Sequence, residues 1–272
     1  MCLILFSLGH HPGFPLVVAA NRDESYGRPA APVCFWPDAP YIAGGRDLRA
    51  GGTWLGITRH GRWGALTNYR RGGSYRENAP SRGQLVSDYL ESDISPEAYL
   101  RKLEPIAAQF NGFNLLVGDA SGLHYLSNRD AGPRQVEPGI HGLSNHLLDT
   151  PWPKVEMGKQ ALHALGERPR DSIIDYLLDA LSRRSVPAES ELPDTGVGQA
   201  QERVLSPPFI AGESYGTRAS TVILVDEDGQ VSIEERAFGP FGALQGSTSL
   251  RFSLDADTQA APIRAPATTQ CG

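Results

Sequence analysis

Apolar residues fall along this chain in short runs of two kinds, and their order lays out a fold. Leu3-Ile4-Leu5-Phe6 and Leu16-Val17-Val18-Ala19-Ala20 are continuous β-prone runs on either side of the turn-rich Gly9-His10-His11-Pro12-Gly13. That pattern reads as a buried antiparallel hairpin. Residues 32–36 and 42–47 read as short strands. Residues 51–57 and 62–68 form a second hairpin around His60-Gly61, and residues 113–118 and 123–127 a third around Asp119-Ala120-Ser121-Gly122. Residues 135–143 read as extended, and 217–225 with 230–237 as a last hairpin turning at Asp226-Glu227-Asp228-Gly229.

Between the hairpins the period lengthens to that of helices. Residues 81–91 and 95–109 carry helical signatures; in the second, Ser95 is the N-cap, Pro96 sits at N1, and Tyr99, Leu103, Ile106 and Phe110 recur at spacings of three or four. A further pair is predicted at 152–165 and 171–183, the latter capped by Asp171 and showing Ile174, Leu177, Leu178 and Leu181. Strands and helices thus come in blocks, without βαβ alternation, which predicts an α+β fold of two antiparallel sheets with helices outside. Residues 185–214, rich in Pro, Gly and acidic groups, read as a long loop over a pocket. The whole reads as a single domain over residues 1–252 with a polar, flexible tail at 253–272.

Composition narrows the classes. With 272 residues, 40% of them hydrophobic and 21% charged, the chain is globular and long enough to bury a sizeable core. It has no apolar span near about 18 residues, so no transmembrane helix is expected. The N-terminal run lacks a basic n-region and is broken by Gly9, unlike a signal peptide. A net charge of -6 leaves no basic footprint for nucleic acid, and Arg70, Arg71, Arg76 and Arg82 read as a solvated loop. Cys2, Cys34 and Cys271 have no metal-ligand spacing and point to a reducing cytoplasm without structural disulfides. Cys34 reads as core and Cys271 as a bystander in the tail.

The sharpest chemistry is at Cys2. At a strand tip, removal of the initiator methionine would leave it with a free α-amine, whose reference pKa of about 7.7 to 8.0 compares with about 8.5 for a thiol. Such an amine takes the thiol proton near neutrality and returns it to a leaving group, so one residue supplies nucleophile and base. With Met1 retained the amine is locked in a peptide and that mechanism fails. The plainer reading is a packed strand cysteine. Asn21-Arg22-Asp23-Glu24 stands where the return strand gives way to a loop. It is either a charged exit or a cation that lowers a thiol pKa together with a carboxylate that orients the proton carrier, Arg22 and Asp23 being the first choice. Asn68 and Asn145 end strands, as turn residues or as amide donors.

Met1-Cys2, the Asn21-Arg22-Asp23-Glu24 tetrad, Gly51-Gly52-Thr53-Trp54-Leu55-Gly56, Thr67-Asn68, Gly142-Leu143-Ser144-Asn145 and Gly216-Thr217-Arg218-Ala219-Ser220-Thr221 together resemble the NRDE family, also called the Transport and Golgi organization family. The blocks occur in order over roughly residues 1–240. The resemblance implies an N-terminal nucleophile hydrolase-like fold, a four-layer αββα sandwich, which agrees with the element order. Relatives in fold are cysteine amidases such as penicillin V acylases and bile salt hydrolases. Carried over by motif, their catalytic set becomes Cys2, Arg22, Asp23, Asn68, Asn145 and Arg218. Cys2 would attack an acyl carbonyl, Asn68 and Asn145 would donate to the oxyanion, and Arg22 and Arg218 would hold a thiolate or a substrate carboxylate. In the amidases the Arg and Asp are three positions apart, whereas Arg22 and Asp23 are adjacent, so the orienting carboxylate is Asp23 or Glu24.

The function so implied is hydrolysis of a non-peptide amide or acyl substrate, with no cofactor required. The alternative is a non-enzymatic carrier of haem or lipid that reuses the fold, with haem as its transported ligand. For that role the sequence offers only scattered ligands: His10, His11, His60, His124, His141, His146 and Met157.

Overall fold

The opening hairpin lies in the interior of a sheet in the computed structural model, which describes residues 2–166 and 168–255. Strands β1 (Cys2–His11) and β2 (Phe14–Ser25) pair from Cys2 opposite Arg22 to Leu8 opposite Leu16. The chain continues through β3 (Ala30–Trp36), β4 (Ala39–Asp47), β5 (Leu55–Thr58) and β6 (Trp63–Asn68) to helices α1 (Gln84–Glu91) and α2 (Pro96–Leu103). Then come β7 (Phe113–Asp119), β8 (Gly122–Ser127), β9 (Arg134–Val136), β10 (Gly139–Leu143), α3 (Pro153–His163), α4 (Arg170–Leu181) and α5 (Gln199–Leu205). Strands β11 (Tyr215–Val225), β12 (Gln230–Phe238) and β13 (Leu244–Ser253) finish the fold.

Among the described residues these strands make two antiparallel sheets, one ordered β10-β1-β2-β11-β12-β13 and the other running β3 to β9 in sequence. Ile4, Phe6, Leu16 and Val18 of the first sheet pack against Ala43, Ile57, Trp63 and Leu116 of the second. The outer faces are also covered. Leu3, Leu5, Val17 and Ala19 meet Val155, Leu162, Ile173 and Leu177 of α3 and α4, while Leu66, Leu115 and Val117 meet Val86, Tyr89, Leu100 and Leu103 of α1 and α2. A sheet buried on both faces needs apolar residues at every position, which is why Leu3 to Phe6 form a run rather than an alternation. The architecture is the αββα sandwich anticipated from the element order.

Several local expectations shift, each for a physical reason. The helix expected over 95–109 stops at Leu103, and Glu104–Gln109 continues as a 3-10 turn. Pro105 has no N–H to give and its ring collides with the preceding turn. The tighter winding leaves Ile106 45% exposed instead of on the apolar stripe. Ser95 does cap α2, accepting from the Ala98 N–H at 3.3 Å. Asp171 is not the cap of α4: Pro169 holds that position, with Asp171 in the first turn. Cys34 is half-buried rather than core. The extended segment at 135–143 is two strands in different sheets, β9 on β8 and β10 on β1. Of the expected tail, Leu254 and Asp255 still donate backbone N–H groups to Gly229 and Arg59 at 2.8 and 2.9 Å. The remainder, with Cys271, is outside the described residues, as is Met1.

Gly52 marks a tight backbone approach beside the cleft, because a Cβ there would run into the backbone of Gly83. Replacing Gly52 by Ala should therefore cost about 1–3 kcal/mol in urea unfolding, the range for overpacking against groups that cannot rotate away.

Candidate active site

A cleft of about 350 Å³ opens where the two sheets meet the loops at 47–54 and 75–83, and Cys2, Arg22, Asp23, Trp54, Asn68 and Arg82 are among its lining residues. Cys2 alternates with Leu3 and so shares the inter-sheet face with Ile4 and Phe6. Arg22, directly opposite, shares that face with Val18 and Ala20. The Asp23 backbone N–H donates to the Cys2 thiol, and the Ser144 hydroxyl donates to the Cys2 carbonyl at 3.2 Å. The Arg22 guanidinium lies 4.1 Å from the centre of the Trp54 ring. Trp54 can fit there because Gly45 has no Cβ, which would overlap the indole. Burial pushes the Cys2 thiol above its ordinary value, Asp23 adds to that shift, and Arg22 opposes it. Burial also lowers the Arg22 guanidinium, against the pull of Cys2.

The tetrad does not leave the strand. It is the second half of β2, paired with β1 on one side and with β11 on the other, where Ser220 faces Asn21 and Thr217 faces Asp23. Asn21 is a clamp, donating to the carbonyls of Leu181 and Pro208 at 2.9 and 2.8 Å and accepting from Ser220 at 2.6 Å. Asp23 is buried and accepts from the Thr217 hydroxyl at 2.7 Å. Glu24 is half-buried, lines the cleft and accepts from the Ser25 N–H at 2.8 Å. A bulge in β11 between Thr217 and Ala219 releases Arg218, which donates to the carbonyls of Ser25 and Arg28.

Asn68 ends β6 at the cleft. Asn145 is fully buried behind it, donating to the Asn68 carbonyl at 2.9 Å and accepting from Arg70 at 3.2 Å. The structure thus gathers Cys2, Arg22, Asp23 and Asn68 around the cleft. Asn145 and Arg218 stand outside its lining residues, as braces for Asn68 and for the chain after β2.

Three charged groups that the sequence reading passed over sit behind the site. Arg70, expected in a solvated loop, is buried and pairs with Glu202 at 2.5 Å, their side chains 4% and 2% exposed. Its guanidinium also lies 4.9 Å from the Trp152 ring centre. Glu202 additionally accepts from the backbone and hydroxyl of Thr195 at 2.9 and 2.5 Å. Lys154, second residue of α3, is 2% exposed and donates to the Leu205 carbonyl at 3.0 Å. Burial pushes Lys154 down to about 8, with Asp23 acting the other way. The segment 185–214 therefore contains a docked helix, α5, and no residue of it lines the cleft. Arg82, also expected in solvent, lines the cleft with one guanidinium N–H on the Gly112 carbonyl at 3.0 Å. Among the described residues no group of three or more His, Cys, Asp or Glu is placed to hold a metal ion.

The site thus lies in an αββα sandwich with a cysteine at the tip of β1, an interior strand of its sheet. The chain belongs to the Transport and Golgi organisation 2 family, whose model matches residues 1–240. It is 40% identical over 262 residues to the Transport and Golgi organization protein 2 homolog of Bos taurus, and 37% identical over 261 residues to that of Homo sapiens. Each match covers 87% of this chain and 93% of the relative. Among solved structures the chain is similar to a Caenorhabditis elegans N-acylethanolamine-hydrolyzing acid amidase ortholog, at 14% identity and a TM-score of 0.47, covering 82% of this chain and 92% of that one. It is also similar to a mutant conjugated bile acid hydrolase from Clostridium perfringens, at 10% identity and a TM-score of 0.42, covering 92% of each. No helix among the described residues is long and apolar enough to cross a membrane.

Removing one partner of a buried pair strands the other charge, so Glu202→Ala should lower the unfolding free energy by about 3–5 kcal/mol, read from urea titrations. Lys154 gives a pH signature. Its folded value of about 8 is below its ordinary 10.5, so between those limits the unfolded chain holds more protons and stability rises with pH. The rise attributable to this group should reach about 3 kcal/mol and be missing from Lys154→Met, in unfolding curves compared at several pH values across that window.

Proposed function

We propose that the protein is an N-terminal cysteine hydrolase, an amidase or acyl transferase acting on a small non-peptide amide or acyl substrate. The observation that carries this reading is the position of Cys2: a thiol at the tip of β1, in a cleft of about 350 Å³, hydrogen-bonded by the Asp23 backbone and faced by Arg22. A cleft of that volume is within the range of small-molecule sites.

In this reading the mature chain begins at Cys2. The α-amine takes the thiol proton as sulfur attacks the acyl carbonyl carbon, and the carbonyl π electrons move to oxygen, where the Asn68 amide donates. The tetrahedral adduct collapses with cleavage of the carbon–nitrogen bond, and the ammonium returns its proton to the departing amine. Water then attacks the thioester, releasing a carboxylic acid and restoring the thiol; an amine or alcohol in place of water gives acyl transfer. Burial keeps Cys2 protonated at rest, so the thiolate forms only when the amine can take its proton. Arg22 offsets the negative charge passing through sulfur. Asp23 orients the amine, Asn145 fixes Asn68 through its carbonyl, and Arg218 holds the chain beyond β2. The chemistry uses no cofactor and needs a reducing compartment such as the cytoplasm, where Cys2 stays a thiol.

The carrier reading draws less support from this geometry. No His or Met is among the residues lining the cleft, so an iron held there would have to take its ligands from Cys2, Tyr75 or the carboxylates of Asp23, Glu24, Asp47 and Glu77.

Intact mass and N-terminal peptide mapping test the maturation, and release of aminomethylcoumarin from its N-acyl derivatives of graded chain length tests the chemistry. Cys2→Ala should abolish turnover and Cys2→Ser lower kcat/KM by at least about 100-fold. Full turnover by Cys2→Ala would sink the reading.

A further inference from the structure

We propose that the chain pairs with a second copy of itself along β13, in a two-fold dimer that joins two six-stranded sheets into one of twelve. An edge strand presents a row of unpaired N–H and carbonyl groups, and folds blunt it with proline, bulges, short length or a covering segment. Three of the four sheet edges here are blunted in such ways. Strand β9 is three residues long. Strand β3 contains Pro32, breaks register twice and gives its Val33 N–H to Glu235 at 2.8 Å. Strand β10 is sealed by Asp149, which accepts from the Gly142 N–H on its carboxylate and donates its own N–H to the Gly142 carbonyl, both at 2.9 Å. Strand β13 has none of these devices: it runs for ten residues without proline or lysine, in unbroken register with β12 from Gly246 to Ser253. Among the described residues no backbone group of 245–253 bonds to anything beyond that ladder.

A second copy fits this edge because the strand is complementary to itself. Its side chains alternate between faces. Leu250 and Phe252 point to the inter-sheet core, and Arg251 points to the outer layer, where it meets Asp171 at the start of α4 at 2.8 Å. A two-fold axis through Thr248, normal to the sheet, sets each residue opposite one of the same face in the second copy. On the inner face Leu244 falls opposite Phe252, and Gly246 opposite Leu250. A Cβ built on Gly246 meets nothing within 4 Å, so there is room beside it for the incoming leucine. Leu244 is 60% exposed in the single chain, an apolar side chain that this pairing covers. On the outer face Ser247 falls opposite Ser249, and Gln245 opposite Arg251. No like charges oppose one another there, although the whole chain carries a net charge of -6. A slip of one residue would set the helix-covered face of one copy against the core side of the other, so the register is specified. No residue of β13 lines the cleft. Both clefts therefore stay open, at opposite ends of the joined sheet, because the axis reverses the strand direction.

Sedimentation velocity of the full chain over a concentration series, combined with amide hydrogen exchange of residues 245–253, tests the pairing. Wild type should sediment as a dimer that dissociates on dilution, and the outward-facing amides of that stretch should be protected only in the dimer. The exposed Gln245 reads the register. Gln245→Lys sets a cation against Arg251 of the second copy at two symmetric places and should weaken the dimer. Gln245→Glu sets a carboxylate there and should tighten it, each variant shifting the dissociation constant by about fivefold, less in high salt. A wild type that stays monomeric at its highest soluble concentration overturns the proposal: if its outward amides are nonetheless protected, residues 256–272 of the same chain hold the edge, and if they exchange freely the edge is bare. A dimer whose affinity the two Gln245 variants do not move in opposite directions overturns it as well, because the copies then meet elsewhere or in another register.

Discussion

Four polar residues near the end of an interior strand must find partners from side chains and from other layers, and much of the molecule around them is arranged to supply those partners. The backbone of β2 is committed to β1 and β11, so Asn21, Arg22 and Asp23 have to be satisfied by what packs above and below the sheet. An unsatisfied buried polar group costs about 1–3 kcal/mol, so none of these contacts is incidental. Asn21 ties the sheet to the end of α4 and to Pro208, Arg22 stacks on Trp54 just before β5 of the second sheet, and Asp23 takes Thr217. One strand segment thereby fixes the helix layer, the opposite sheet and the neighbouring strand relative to the Cys2 thiol.

The same constraint decides what the sequence can show. The strand runs are legible because both faces of each sheet are covered, so Leu3 to Phe6 and Leu16 to Ala20 have nowhere to place a polar side chain. The segregation of strands and helices was enough to give two sheets and two helix pairs. Cys2, Arg22, Asp23 and Asn68 stand out because polar groups at the ends of apolar runs are conspicuous. Of the two readings of the tetrad, the charged exit is the one that fails: four polar residues look like departure from a core unless the partners that bury them are known.

Other residues were hidden by the opposite ambiguity. Lys154 and Glu202 sit in short helices with charged neighbours, where a charge ordinarily means a solvated face, and only the docking of α3 and α5 against the strand ends reverses that. Arg70 belongs to a run of arginines that looks uniform, yet one is buried against Glu202 while Arg71 is exposed. Asn145 draws notice from its place at a strand end, but its contact is hidden, because its amide reaches the backbone of another strand-end asparagine. Local pattern carries burial along one element; it carries nothing about which distant element will cover a charge.

The cleft itself is built from two materials. Its floor belongs to strand ends of β1, β2 and β6, held by ladders on both sides, while much of its wall comes from the stretch between β6 and α1, which supplies Tyr75, Glu77, Ala79, Pro80, Ser81 and Arg82. That stretch has no regular structure of its own and is anchored at one end by Gly83 against Gly52 and along its length by Arg76 on the carbonyls of residues 108–110. Lengthening or recolouring it need not disturb the pairing of Cys2 with Arg22. The strand-end groups around Cys2 and most of the cleft wall thus belong to separate parts of the chain, and the one can drift while the other is kept.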